Sequence, residues 1–176
     1  MKKLLIVVDM QNDFITGALG SPQAQHIVPT VTAKIEQYRQ NGDAVLFTRD
    51  THSDTYLETQ EGRYLPVVHC IDGTDGHAIA DGLFVDGDEV FDKPTFGSLE
   101  LASLVAKGGF EEIELCGLCT DICVVSNALI LKAQLPETNI TVDARCCAGV
   151  SDESHDAALL TMMTCQVNVI GKDNPS

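Results

Sequence analysis

Short apolar runs of strand length alternate with longer segments of helical period from one end of this chain to the other. Leu4 to Val8 is an unbroken apolar run that Asp9 ends. Ala44 to Thr48, Glu89 to Asp92, Ile113 to Cys116, Ile140 to Val142 and Val167 to Ile170 repeat the strand signal. Between them, Val28 to Gln40 has helical spacing and is stopped by Gly42, and Leu99 to Lys107 is closed by Gly108-Gly109. Ile122 to Gln134 reads as a helix directly after the fourth strand, and Ser151 opens another that runs to Cys165. Apolar strands joined by helices give right-handed crossovers and a mostly parallel sheet covered on both faces, an α/β fold.

One stretch breaks the alternation. Residues 51–87 are irregular and rich in Gly, Asp, Thr and His. Long ordered loops inside compact domains usually carry function. No repeat, low-complexity tract or linker interrupts the pattern, so residues 1–176 are read as one domain with this stretch inserted.

Bulk composition narrows the classes of partner. A chain of 176 residues suits one full hydrophobic core. The formal net charge of −15 argues against nucleic acid and anionic membranes, both of which repel an acidic surface. No run approaches the ~20 apolar residues of a membrane span. Met1-Lys2-Lys3 is followed by five apolar residues, short of a secretory core segment of about 7–15. The seven cysteines, several in apolar stretches, therefore read as reduced thiols of a cytoplasmic protein.

The candidate chemistry gathers at the strand ends. Asp9 ends the first strand, Asp50 follows the second, Lys93 ends the third, and the turn from Gly117 to Cys123 follows the fourth. In open α/β sheets, ligands bind outside the carboxyl ends of the strands, so topology alone brings these groups to one edge. Cys123 falls in the first turn of a helix, with Thr120 or Asp121 as its N-cap. Free N–H groups and the helix dipole there favour a thiolate and can receive an oxyanion. Asp9, at the mouth of a buried sheet, is a candidate proton carrier, since partial desolvation raises a carboxyl pKa. Lys93 supplies the compensating positive charge. Cys116-x-x-Cys119 offers a thiol-redox alternative, although Cys116 sits inside a strand.

These residues resemble a known family. Val8-Asp9-Met10-Gln11-Asn12-Asp13-Phe14, Lys93, and Gly117-Leu118-Cys119-Thr120-Asp121-Ile122-Cys123-Val124 look like the signatures of the isochorismatase-like cysteine hydrolases, which include nicotinamidases and pyrazinamidases. The resemblance covers about Leu4 to Ile170. It implies a Rossmann-like, three-layer α/β/α fold with a catalytic triad of Asp9, Lys93 and Cys123. A cis peptide before residue 119, an oxyanion hole from the backbone N–H groups of Cys119 and Cys123, and an oligomer of identical chains are also implied.

The irregular stretch adds a metal constellation. Asp50-Thr51-His52 puts a carboxylate and an imidazole on one side of an extended segment, and His69 follows. Two His and a carboxylate suit a divalent metal, zinc first, with iron or manganese as alternatives. His69-Cys70-Ile71-Asp72-Gly73-Thr74-Asp75-Gly76 resembles the nicotinamidase segment whose His is a metal ligand. Glu61 is the candidate fourth ligand, with Glu58 behind it. Phe14, Tyr64, Phe96 and Leu118 are the expected substrate-pocket walls. The sequence departs from nicotinamidases in having no Trp and in reading Tyr64-Leu65-Pro66-Val67-Val68-His69 before the metal-ligand segment. The expected activity is cysteine-dependent hydrolysis of a small carboxamide, nicotinamide first. The alternatives are another small amide, a vinyl ether, or a non-catalytic or redox protein on the same scaffold.

Overall fold

The apolar run Leu4 to Val8 is continuous because the strand that contains it is covered on both faces. In a computed structural model, which describes residues 1–172, six strands lie in one sheet: β1 (Lys3–Val8), β2 (Ala44–Asp50), β3 (Glu89–Lys93), β4 (Glu112–Leu118), β5 (Asn139–Ala148) and β6 (Asn168–Ile170). Their order is 3-2-1-4-5-6, and every neighbouring pair is parallel. The chain moves outward from β1 to β2 and β3, then returns to place β4 on the other side of β1. This reversal is the switch point at which doubly wound sheets open a crevice.

Helices cover the two faces. Ile6 and Val8 of β1 face a cluster that includes Leu101 of α4 (Leu99–Gly108), Ala128 of α5 (Val125–Gln134) and Leu159 of α6 (Asp152–Thr164). Leu5 and Val7 face the opposite cluster, where α1 (Asn12–Ile15) contributes Phe14 and α2 (Pro22–Asn41) contributes Ile27 and Val31. A further short helix, α3 (Gln60–Tyr64), lies in the irregular stretch. The layering is therefore α/β/α, as the resemblance implies. Among the described residues, no helix is long and apolar enough to cross a membrane.

Several boundaries differ from the pattern reading, each for a local reason. Helix α2 begins at Pro22 rather than Val28, because Ser21 caps Ala24 N–H and proline suits the first helical turn. Pro29 stays inside that helix. Strand β5 runs on through Cys146 and Cys147 to Ala148, its register with β4 shifting between Leu115 and Gly117. At Gly117, φ is +116° and a Cβ would stand 2.1 Å from Val8 O, so only glycine lets β4 pass this close to the end of β1.

Candidate active site

Asp9 leaves β1 in the left-handed region, φ +46°, its N–H directed at Thr48 O and Thr48 Oγ1, each 3.2 Å away. Aspartate tolerates this backbone better than most side chains. The turn points its carboxylate over the sheet edge, where Thr48 Oγ1 donates to Asp9 Oδ1 at 2.6 Å. Lys93, the last residue of β3, reaches across β2 with an ammonium that is fully buried. Its Nζ is 2.6 Å from Asp9 Oδ2, 3.4 Å from Cys123 Sγ and 3.5 Å from Asp50 Oδ1, and it donates to Thr95 O at 3.2 Å. Three residues separated by most of the chain thus meet at one cation.

Cys123 sits in a wider helical turn than its sequence suggests. Thr120–Val124 forms a π-helical turn, and α5 begins only afterward. The N-cap is Cys119, in place of Thr120 or Asp121; its carbonyl accepts from Ile122 and Val124 N–H, both at 3.1 Å. The Leu118–Cys119 peptide is cis. Thr120 is buried and bonds His155 Nδ1 at 2.7 Å, while Asp121 accepts from Val150 N–H.

Burial dominates the electrostatics here. It pushes Cys123 well above the ordinary thiol value of 9.0, anionic Asp9 pushes the same way, and Lys93 opposes both. The expectation of a lowered thiol pKa is therefore corrected: burial and the neighbouring Asp9 favour the neutral thiol. Burial also raises Asp9 above its ordinary 3.8, against the pull of Lys93, and nearby Asp50 adds to the rise. Lys93 is divided among several acceptors, so it does not offset the desolvation of Asp9. Burial disfavours the Lys93 cation too, but its acidic neighbours Asp9 and Asp50 outweigh it and hold the ammonium charged.

A second group abuts this one. Asp50, His52, Glu61 and His69 each offer a donor atom, all within 4.8 Å of one another. Asp50 Oδ2 is 3.0 Å from His52 Nε2 and 3.6 Å from His69 Nε2, and Glu61 Oε1 is 3.6 Å and 3.9 Å from the same nitrogens. His69 Nδ1 lies 2.7 Å from Val67 O, which fixes the proton there and leaves Nε2 free to ligate. Tyr56 packs against both imidazoles, with centroids 4.7 Å and 4.9 Å away. Two imidazoles and two carboxylates fit a divalent cation such as zinc, iron or manganese. Glu61 joins from the first turn of α3, whereas Glu58 is outside the group.

One cavity of about 380 Å³ connects the two groups, lined by Cys119 and Cys123 on one side and by Asp50 and His69 on the other. Phe14, Phe96 and Leu118 line it as expected, but Tyr64 does not. Tyr64 ends α3 and is 84% exposed; its neighbour Leu65 turns inward instead. Ile122 and Val150 complete the walls. A larger, more open groove between α2 and β5 holds none of Asp9, Lys93, Cys123 or the four donor residues.

Other expectations change as well. Cys165, at the end of α6, is exposed. His77 is a buried strut, with Nε2 2.8 Å from Thr51 Oγ1. Cys116 is wholly buried in β4 and its thiol is pushed well up, which removes the redox pair's accessible partner. Gln11, Thr48 and Asn127 are supporting residues to which the sequence reading gave no role. Gln11 lies inside the Val8–Phe14 motif and Asn127 three residues beyond the Gly117–Val124 motif, which was the available signal.

Comparison with known proteins agrees with this architecture. A model of the isochorismatase domain matches residues 3–174. A protein of Arabidopsis thaliana described as a probable inactive nicotinamidase is 29% identical, the match covering 90% of this chain and 86% of that one. A nicotinamidase structure from Bacillus subtilis superposes with a TM-score of 0.84 at 28% identity, covering 96% of this chain and 99% of its own. The pyrazinamidase of Pyrococcus horikoshii in complex with zinc gives 0.84 at 25% identity, with coverages of 98% and 100%. An N-carbamoylsarcosine amidase of Thermoplasma acidophilum gives 0.80 at 27%, with coverages of 100% and 99%.

Proposed function

Because the chain belongs to the isochorismatase family of hydrolases, we propose that it is a cysteine-dependent amidohydrolase of a small carboxamide, nicotinamide first. One observation carries the reading: the Lys93 ammonium lies within 3.5 Å of Asp9, Cys123 and Asp50 together. The chemistry then follows from the residues present. Asp9, with its raised pKa, takes the Cys123 proton as the sulfur attacks the carbonyl carbon. Backbone N–H groups of Cys119 and Cys123 receive the negative charge that develops on the carbonyl oxygen. Asp9 passes the proton to the amide nitrogen, the C–N bond breaks, and ammonia leaves a thioester on Cys123. Water then gives a proton to Asp9 and its hydroxyl to the acyl carbon. The carboxylic acid departs as the proton returns to sulfur.

Lys93 stays charged throughout and balances the single negative charge shared by Asp9 and the sulfur. Asp50, His52, Glu61 and His69 would hold a divalent cation, zinc first. When bound, such a cation would supply an anchor for a ring nitrogen or a water and so help orient the carboxamide. A cavity of about 380 Å³ is near the lower end of small-molecule sites and suits one planar ring. The amidase similarity to an N-carbamoylsarcosine enzyme keeps a second small amide in view.

The test is ammonia release from nicotinamide, pyrazinamide and N-carbamoylsarcosine by the protein and by Cys123→Ala. Turnover by the wild-type chain alone is expected. Equal release by both proteins, or none from any amide, would remove the proposal.

A further inference from the structure

Asn127 lies on α5, one helical turn beyond Cys123, and is 1% exposed. Its Nδ2 donates to Cys123 O at 2.8 Å and to Phe96 O at 2.9 Å, while its Oδ1 accepts from Ser98 N–H at 3.0 Å. Both amide protons and one oxygen lone pair are therefore spent on backbone groups of two different segments. One of those segments carries the sulfur. The other, residues 94–98, follows Lys93, returns Thr95 O to the Lys93 ammonium, supplies the Phe96 wall of the cavity, and starts α4 through the Ser98 cap on Leu101 N–H.

A second observation shows how tightly these segments meet. A Cβ on Gly97 would stand 2.6 Å from Ile130 Cδ1 and 3.1 Å from Ser126 Cβ, both on α5. Gly97 thus lies directly against the helix that follows the sulfur, and the Asn127 side chain ties its neighbours Phe96 and Ser98 to the same helix.

We propose that Asn127 is the positioning residue that keeps Cys123 in register with Lys93 and holds Phe96 at the cavity wall. The inference rests on the amidohydrolase reading for its consequences in turnover, but its geometry stands without it. The two halves of the role are separable. The donor to Cys123 O governs the sulfur, and the bonds to Phe96 O and Ser98 N–H govern the wall. A threonine at 127 can replace only the first, because a helical hydroxyl bonds the carbonyl four residues earlier. Ser126 already does this to Ile122 O at 2.6 Å in the same helix.

The experiment compares Asn127→Ala and Asn127→Thr with the wild-type chain, at a temperature where circular dichroism shows each folded. The readouts are kcat and KM for nicotinamide and the pH profile of Cys123 alkylation by iodoacetamide. Asn127→Ala is expected to lose about 100-fold in kcat, the order of effect of a misplaced reacting group, and to displace the alkylation profile. Asn127→Thr should recover the wild-type profile and most of kcat while KM stays about tenfold high, as one weakened wall contact would give. If Asn127→Ala does not fold, Asn127→Thr alone decides, by its raised KM beside a wild-type profile. Wild-type kinetics and alkylation in the folded variants, with only a lower melting temperature, would overturn the proposal. If the wild-type chain releases no ammonia but the profile shifts in Asn127→Ala and returns in Asn127→Thr, the positioning role stands and the amidohydrolase reading falls.

Discussion

Lys93 Nζ lies 3.5 Å from Asp50 Oδ1, so the cation that joins Asp9 to Cys123 also faces a member of the four-donor cluster. The proposed reacting groups and the proposed cation site share one charge. Replacing Lys93 by methionine would keep the buried length and remove that charge. Asp9 and Asp50 would then be left inside the fold with no ammonium, and breaking a buried pair in this way costs about 3–5 kcal/mol. Lys93→Met is expected to unfold at lower urea and to shift Cys123 alkylation to more alkaline pH. A wild-type alkylation profile in this variant would take Lys93 out of the mechanism.

The acid limb of activity should report Asp9. Burial lifts this carboxyl above 3.8, so kcat/KM is expected to rise with pH through a limb displaced upward from the usual carboxylate range. The hydrogen bond from Thr48 works against that lift, donating to Asp9 Oδ1 at 2.6 Å. Thr48→Val removes the donor at nearly constant volume, and the limb should move up by about one pH unit, the scale of a hydrogen bond to a charged group. The stability sign follows. A carboxyl raised on folding favours the fold below 3.8 and loses that contribution as pH rises through the raised value. Urea titrations at several pH values should therefore show Thr48→Val losing more stability than wild type at neutral pH than at pH 3. A limb that stays in place would assign the acid group to another residue.

Metal content tests the cluster independently of turnover. The double variant His52→Ala/His69→Ala removes both imidazoles from the set of donors within 4.8 Å. Elemental analysis after dialysis against zinc, iron and manganese salts should find a divalent ion near one equivalent in the wild-type chain and a small fraction of that in the double variant. Full occupancy of the double variant would locate the ion elsewhere.

Pocket walls separate Tyr64 from Phe96. Phe96 lines the cavity, whereas Tyr64 points into solvent at 84% exposure. Phe96→Ala is expected to raise KM about tenfold, and Tyr64→Ala to leave KM within about twofold. The reverse ranking in steady-state kinetics would mean that the 56–65 segment closes over bound substrate.

The sheet was legible from hydrophobic runs because its inner strands β1, β2, β4 and β5 are largely buried, and the polar residues Asp9, Asp50 and Lys93 marked the carboxyl ends of the first three. That is why Asp9, Asp50, Lys93 and Cys123 could be assigned to one edge before any coordinates. What the sequence concealed was set by short-range geometry. Five residues of periodic pattern cannot distinguish a π turn from an α turn, so the pattern points to Thr120 or Asp121 where Cys119 is the N-cap. Tyr64 and Leu65 differ by a single step of chain direction at the end of α3, and the larger ring was the wrong choice. Nor does a sequence report how deeply a thiol is buried: a helix N-terminus favours the Cys123 thiolate, but desolvation drives its pKa upward. Asn127 illustrates the last gap, since its partners lie 29 and 31 residues away.

Gln11 receives Asp50 N–H at 2.7 Å and returns its own Nε2 to Asp50 O and His77 O, each at 2.9 Å. Asp13 accepts Cys70 N–H at 2.7 Å beside it. The first strand's exit is therefore stitched to both ends of the ligand-bearing loop through neutral and anionic contacts internal to the polypeptide. Here the scaffold aims its own ligands, unlike a zinc finger that collapses when stripped. If a divalent ion binds there, its removal is expected to leave the surrounding polypeptide folded.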